Sequence, residues 1–202
     1  LEVALPFALN QSPEPLRFSP GPRSEWLAFQ LGILIASDGP YDRDTATEHW
    51  LDLAARRTSL RLSIAQSATL RNLERGLQPP QSGHDNPHYF SDDAMVRSVA
   101  LALTQPPDAV ATAVRQDAAI SNAEDGVWAA EAYAVALSAV LHGATAAHAV
   151  SEAVAVIPTD SWLHDDVERA RTTTREARGH LARITALHDE TWLPAYDYGT
   201  AA

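Results

Sequence analysis

Cysteine is absent from the 202 residues, which removes disulfides, thiolate catalysis and cysteine-ligated metal sites together. A reducing compartment suits such a chain, and a cytoplasmic location is the expectation. Lysine is absent too. All 15 basic residues are arginine, thinly spread, with no run of five, so there is no polybasic segment to grip phosphates. Against 26 acidic residues they leave a formal charge of −11, and such a surface repels nucleic acid and acidic membranes alike. The longest apolar run, "WLAFQLGILIA" from Trp26 to Ala36, is too short to cross a bilayer. No signal-peptide pattern stands at the start. P-loop, GxGxxG and GxSxG motifs are all missing. Neither nucleic acid nor membrane is therefore expected as a partner, and no feature marks an oligomeric state. The chain opens on Leu1 and closes on "YDYGTAA" like a loop cut mid-course, so it is expected to be part of a longer one.

What is present is helical periodicity, without a convincing alternating strand. Hydrophobic residues make up 46% and charged residues 20%, the balance of one globular domain with a real core. Residues 10–23 carry four prolines and predict an extended segment. Ser24 then reads as an N-cap for a helix over Glu25–Ala36. A second helix runs through "TATEHWLDLAARR", with Trp50, Leu53 and Ala54 on one face. A third covers Ser59–Arg75, with Gly76 as its C′ residue. A polar loop follows from Leu77, and Ser91 reads as the cap of a fourth helix ending near Thr104. A fifth spans Asp108–Ala119. The sixth carries a stripe of Val127, Ala130, Ala134, Leu137 and Leu141 and stops at Gly143. A seventh ends at Pro158, and a polar, arginine-rich eighth is expected from Ser161 to Leu187. The fold class expected is all-α, one compact multi-helix domain over 1–202.

The stretch "HDNPHYFSDD" (His84–Asp93) is dense in hydrogen-bonding side chains. As plain structure, Ser91 caps a helix and Asp92 and Asp93 complement its dipole. As function, the same carboxylates face a ligand, because long ordered loops on helical scaffolds tend to carry function. Both readings stand at this point. His84 and His88 have the i, i+4 spacing of a zinc helix, but Gly83 and Pro87 argue against a helix there. Three His-Asp pairs, His84-Asp85, His164-Asp165 and His188-Asp189, suggest a metal phosphohydrolase of the HD type, yet nothing fixes their relative geometry. Tandem Asp92-Asp93 lacks the second motif that a terpene cyclase needs. Glu25, Asp117, Glu124 and Asp125 sit at helix ends, where carboxylates are ordinarily caps. Trp26, Trp50, Trp128 and Tyr133 read as core.

Three segments, those around "NPHYFSDDAMVRSVALAL", "AVRQDAAISNAEDGVWAAEAYAVALSAVLHG" and, upstream, "PGPRSEWLAFQLGILIASDGPYDRDTATEHWLDLA", together resemble the ADP-ribosylglycohydrolase family. "NPHYFSDDAMVRSVALAL" is similar to its loop-to-helix segment, with Asn86, Ala94, Met95 and Arg97 in the places of an asparagine and an Ala/Met-Met-Arg helix. "AVRQDAAISNAEDGVWAAEAYAVALSAVLHG" resembles the segment in which an aspartate leads to Thr-His and a glycine-containing, alanine-rich helix, with Asp117, Ser121, Asn122, Gly126 and Gly143 in those places. Upstream, Arg23-Ser24-Glu25-Trp26 stands where the family's helix opens with Thr-Asp-Asp-Thr. The resemblance implies an all-α domain with a cleft for ADP-ribose. In active members two magnesium ions hold the ribose hydroxyls and orient a water, and a glycosidic bond is hydrolysed through an oxocarbenium-like transition state. It implies Glu25 and Asp93 as the catalytic carboxylates, and Asn86, His88, Asp92, Met95 and Asn122 as ligand-binding residues. Thr-Asp-Asp-Thr keeps one carboxylate here, Thr-His has become Ser121-Asn122, and no Asp-x-Asp-Thr follows. A tight magnesium pair is therefore not expected. The function expected is binding, and hydrolysis if active, of an ADP-ribose-type nucleotide sugar or an ADP-ribosylated substrate, with a degenerate metal centre. The alternative is a non-catalytic binding or scaffold protein on the same fold, and an HD-type phosphohydrolase stands third.

Overall fold

The structure, a computed structural model, describes residues 21–37, 40–56 and 60–191. The C-terminal "YDYGTAA" and residues 10–20 of the proline-rich segment lie outside them. Ten helices and no strand occur among the described residues. They are α1 (Pro22–Ala36), α2 (Arg43–Ala55), α3 (Ile64–Glu74), α4 (Gln81–His84), α5 (Asp93–Thr104), α6 (Pro107–Ala118), α7 (Asp125–Leu141), α8 (Ala146–Ala155), α9 (Trp162–Glu176) and α10 (His180–Thr191).

Several ends differ from the sequence expectation, each for a local reason. α1 begins at Pro22, with Gly21 as N-cap, because proline presets the helical φ and its missing N–H is unused in the first turn. Ser24 thus lies inside the helix and is not its cap. α3 opens at Ser63 with a capping box. Ser63 Oγ accepts from the Gln66 N–H and the Ser63 N–H donates to Gln66 Oε1, which satisfies two orphan donors reciprocally. Ser91 does not cap α5, whose N-cap Asp92 makes no side-chain capping bond. Gln81–His84 forms one helical turn inside the expected loop. The expected eighth helix is two, α9 and α10, broken at Gly179, whose φ of +93° suits a residue without Cβ. Ser161 does cap α9, accepting from the His164 N–H.

Alanine-rich α7 packs against α5, α6 and α8. Its Ala130 and Ala134 are fully buried, so neighbouring helices approach closely. Leu141, expected on the same stripe, is half exposed. An aromatic trio joins α1 to α2. Trp26 and Trp50 lie 4.8 Å apart, and Phe29 meets both edge-on, a geometry worth about 0.5–1.5 kcal/mol per pair beyond burial. A smaller cluster of Ala129, Ala132, Ile157 and Leu163 seats α9.

Two glycines clamp the loop before α5 onto the turn before α7. A Cβ on Gly83 would collide with the carbonyls of Asn122 and Ala119, and one on Gly126 with the carbonyl of Tyr89. The backbones therefore meet directly, and the Ala123 N–H donates to Tyr89 O at 3.0 Å. The clamp sets where α5 begins, and hence where Asp93 stands.

Candidate ligand-binding cleft

A cleft of about 420 Å³ opens between the start of α1, the segment before α3 and the start of α5. Arg23, Trp26, Arg61, Ser63, Gln66 and Asp93 supply its polar and aromatic lining, with Leu62 and Val96 as apolar walls. Segment 60–63 is held by α1. Glu25 Oε2 accepts from the Arg61 N–H at 2.9 Å, and Trp26 Nε1 donates to Arg61 O at 3.1 Å. The Arg61 guanidinium returns to Glu25 Oε1 through Nε and Nη2. These contacts hold the Glu25 carboxyl below the usual carboxylate range, the backbone N–H first among the causes.

Asp93 forms the floor. Its Oδ2 accepts from Ser63 Oγ at 2.6 Å and from Ser91 Oγ at 3.1 Å. Neighbouring Asp92 points the other way and pairs with Arg23 at 2.9 Å. That pair stands beside a second cavity of about 370 Å³, lined by Leu27, Met95, Val99 and Tyr133 among others, and the two cavities share Arg23 and Val96. Tyr133, expected in the core, is exposed instead.

Of the residues expected to form the site, Asp93, Asp92 and Met95 come together along this double cleft. Glu25 lies behind Arg61, with both oxygens occupied by it. Glu25, expected as a catalytic carboxylate, is placed against Arg61 and lines neither cavity. Asn86, expected to bind ligand, is placed in the interior. It is 4% exposed, its amide donates to the Ala65 and Ser121 carbonyls, and its Oδ1 accepts from the His88 N–H. Asn122 is fully buried. Its amide donates to the Tyr89 and Ser91 carbonyls and its Oδ1 accepts from Ser121 Oγ. Both asparagines are struts of the clamp, because a buried amide is held where its polar atoms are satisfied. His88 is half-buried, stacks on Phe90 at 5.9 Å and lines neither cavity.

Arg61, Ser63 and Gln66 escaped the sequence expectation. A signal existed for two of them, since Ser63-x-x-Gln66 before an apolar run is a capping-box pattern. Arg61 had none, because its place depends on α1 lying alongside.

A divalent-ion pair needs several converging oxygen ligands. Among the described residues no three of His, Asp and Glu gather in a way that could hold a metal. Glu25 and Asp92 each face an arginine. The residues described do not fit a magnesium pair.

Fold and cleft together define an all-helical protein with a small carboxylate-floored site at the meeting of helix N-termini. The model of the ADP-ribosylglycohydrolase family matches residues 21–201, and the chain belongs to that family. No curated protein and no solved structure matches it.

Proposed function

We propose that the cleft over Asp93 binds the sugar end of an ADP-ribose-type nucleotide sugar, free or attached to a substrate. The observation that carries this reading is the position of Asp93, a carboxylate on the floor of a roughly ligand-sized cleft in a chain of this family. Asp93 Oδ2 is fixed by two serine hydroxyls, while Oδ1 has no partner among the described residues. A fixed negative charge beside a sugar ring favours an oxocarbenium-like transition state, and the same oxygen can orient a water. In this role Asp93 is the catalytic carboxylate, and Glu25 acts through Arg61.

A second reading is a non-catalytic binding protein. It is favoured by the arginine pairing of Glu25 and Asp92, and by the cavity of about 420 Å³, where Asp93 is the one lining carboxylate among the described residues. Retaining glycosidases ordinarily need two carboxylates. Both readings predict that ADP-ribose raises the melting temperature and that Asp93→Ala abolishes the rise. Turnover separates them, through release of ADP-ribose from an ADP-ribosylated protein. Absence of any thermal shift with millimolar ADP-ribose would remove both.

A further inference from the structure

The floor of the cleft carries a second polar group besides Asp93. Gln66 is 3% exposed yet lines the cavity. Its Oε1 is committed to the Ser63 N–H, while its Nε2 has no partner among the described residues. An amide donor with no protein partner at a cavity wall can be taken up by an acceptor on a bound ligand. Its neighbour is fixed. Ser63 bonds to Gln66 through its N–H at 2.8 Å and to Asp93 through its hydroxyl at 2.6 Å. One serine thus gathers a free amide donor and a free carboxylate acceptor at the same wall.

We infer that Gln66 Nε2 and Asp93 Oδ1 form a two-point site for sugar hydroxyls that works without a divalent cation. A hydroxyl both donates and accepts, so it satisfies both atoms at once, and a vicinal diol does so with one oxygen each. The carboxylates that a cation would need are turned to Arg23 and Arg61, which leaves hydrogen bonding to do the recognition. This rests on the proposed nucleotide-sugar reading for its ligand and adds Gln66 as a specificity-determining residue.

Gln66→Glu is the sharpest variant, because a glutamate still accepts the Ser63 N–H in a capping box but has no amide donor. Gln66→Met removes the donor without adding charge beside Asp93. Calorimetric titration of ADP-ribose in EDTA is expected to match that in magnesium. Each variant is expected to weaken binding about tenfold, the loss of one net hydrogen bond, while remaining folded by circular dichroism. D-ribose, followed by saturation-transfer NMR, serves as the second probe. If ADP-ribose does not bind but D-ribose does and Gln66→Glu abolishes its signal, the nucleotide reading falls and the hydroxyl site stands. The inference is overturned if neither probe binds the unaltered protein. A strict requirement for magnesium overturns it, as does full affinity in both variants.

Discussion

Replacing Asp117 by alanine is expected to be the most damaging single change away from the cleft. Arg97 is fully buried and Asp117 almost so. Arg97 Nε donates to Asp117 Oδ2 at 2.9 Å, its Nη2 donates to Ser121 Oγ at 2.9 Å, and its carbon Cζ lies 5.0 Å from the centre of the Trp50 ring. Tyr41 OH donates to Asp117 Oδ1 at 3.1 Å. Burial first, and the Asp117 charge second, push the Tyr41 phenol well above its ordinary range, so it stays a donor. Arg97 Nη1 already has no partner. Asp117→Ala therefore leaves a guanidinium in the core with its counter-ion gone, and removing one member of a buried pair costs about 3–5 kcal/mol. For a chain of this size that corresponds to a melting temperature lower by roughly 6–20 °C. Tyr41→Phe removes only one bond to the carboxylate and should cost about 1.5–3 kcal/mol. The double variant Arg97→Met/Asp117→Leu should recover much of the loss, since an apolar pair of similar volume has no charge to desolvate. Urea unfolding of the four proteins measures this directly. An Asp117→Ala loss below about 1 kcal/mol, or a double variant no more stable than the single, refutes the account. The change should also loosen the cleft, because Ser121 passes the restraint to Asn122, and Asn122 holds Ser91 beneath Asp93.

Glu124 has φ +46° and ψ −123° at the second position of the Ala123–Gly126 turn, closed by a 3.1 Å bond from the Gly126 N–H to Ala123 O. Side chains avoid that region, so Glu124→Gly should stabilise the protein by about 1 kcal/mol in urea, and a lowered midpoint would show that the strain is misjudged. The acid limb of stability should depend on Glu25. Its folded pKa lies below the ordinary 4.5, so its contribution is fully present above that value and is lost as pH falls through the folded pKa. Melting temperatures from pH 6 to 3 should fall less steeply for Glu25→Gln than for the unaltered protein, and parallel curves would contradict the link.

What the sequence by itself determined was the all-helical class, most of the helices and the family. Those follow from local chemistry: 3.6-residue stripes, Gly143 and Ser161 at helix ends, and an ordered series of segments. Asp93 and Asp92 were also legible, as acids at a helix start. Tertiary structure alone decided which polar residues face the cleft. Asn86 and Asn122 look like ligand residues in a polar stretch, yet glycine-tight contact between two backbones buries them and the carbonyls there take up their amides. Glu25 is a free acid in the sequence, and only the arrival of Arg61 from 36 residues away makes it an anchor. Gln66 is a capping residue by its spacing, and only the meeting of the start of α5 with the Ser63 cap of α3 places its second amide atom at a cavity wall. Periodicity and caps act within one turn of helix, whereas partners at separations of 30 or more residues are set by how the helices pack.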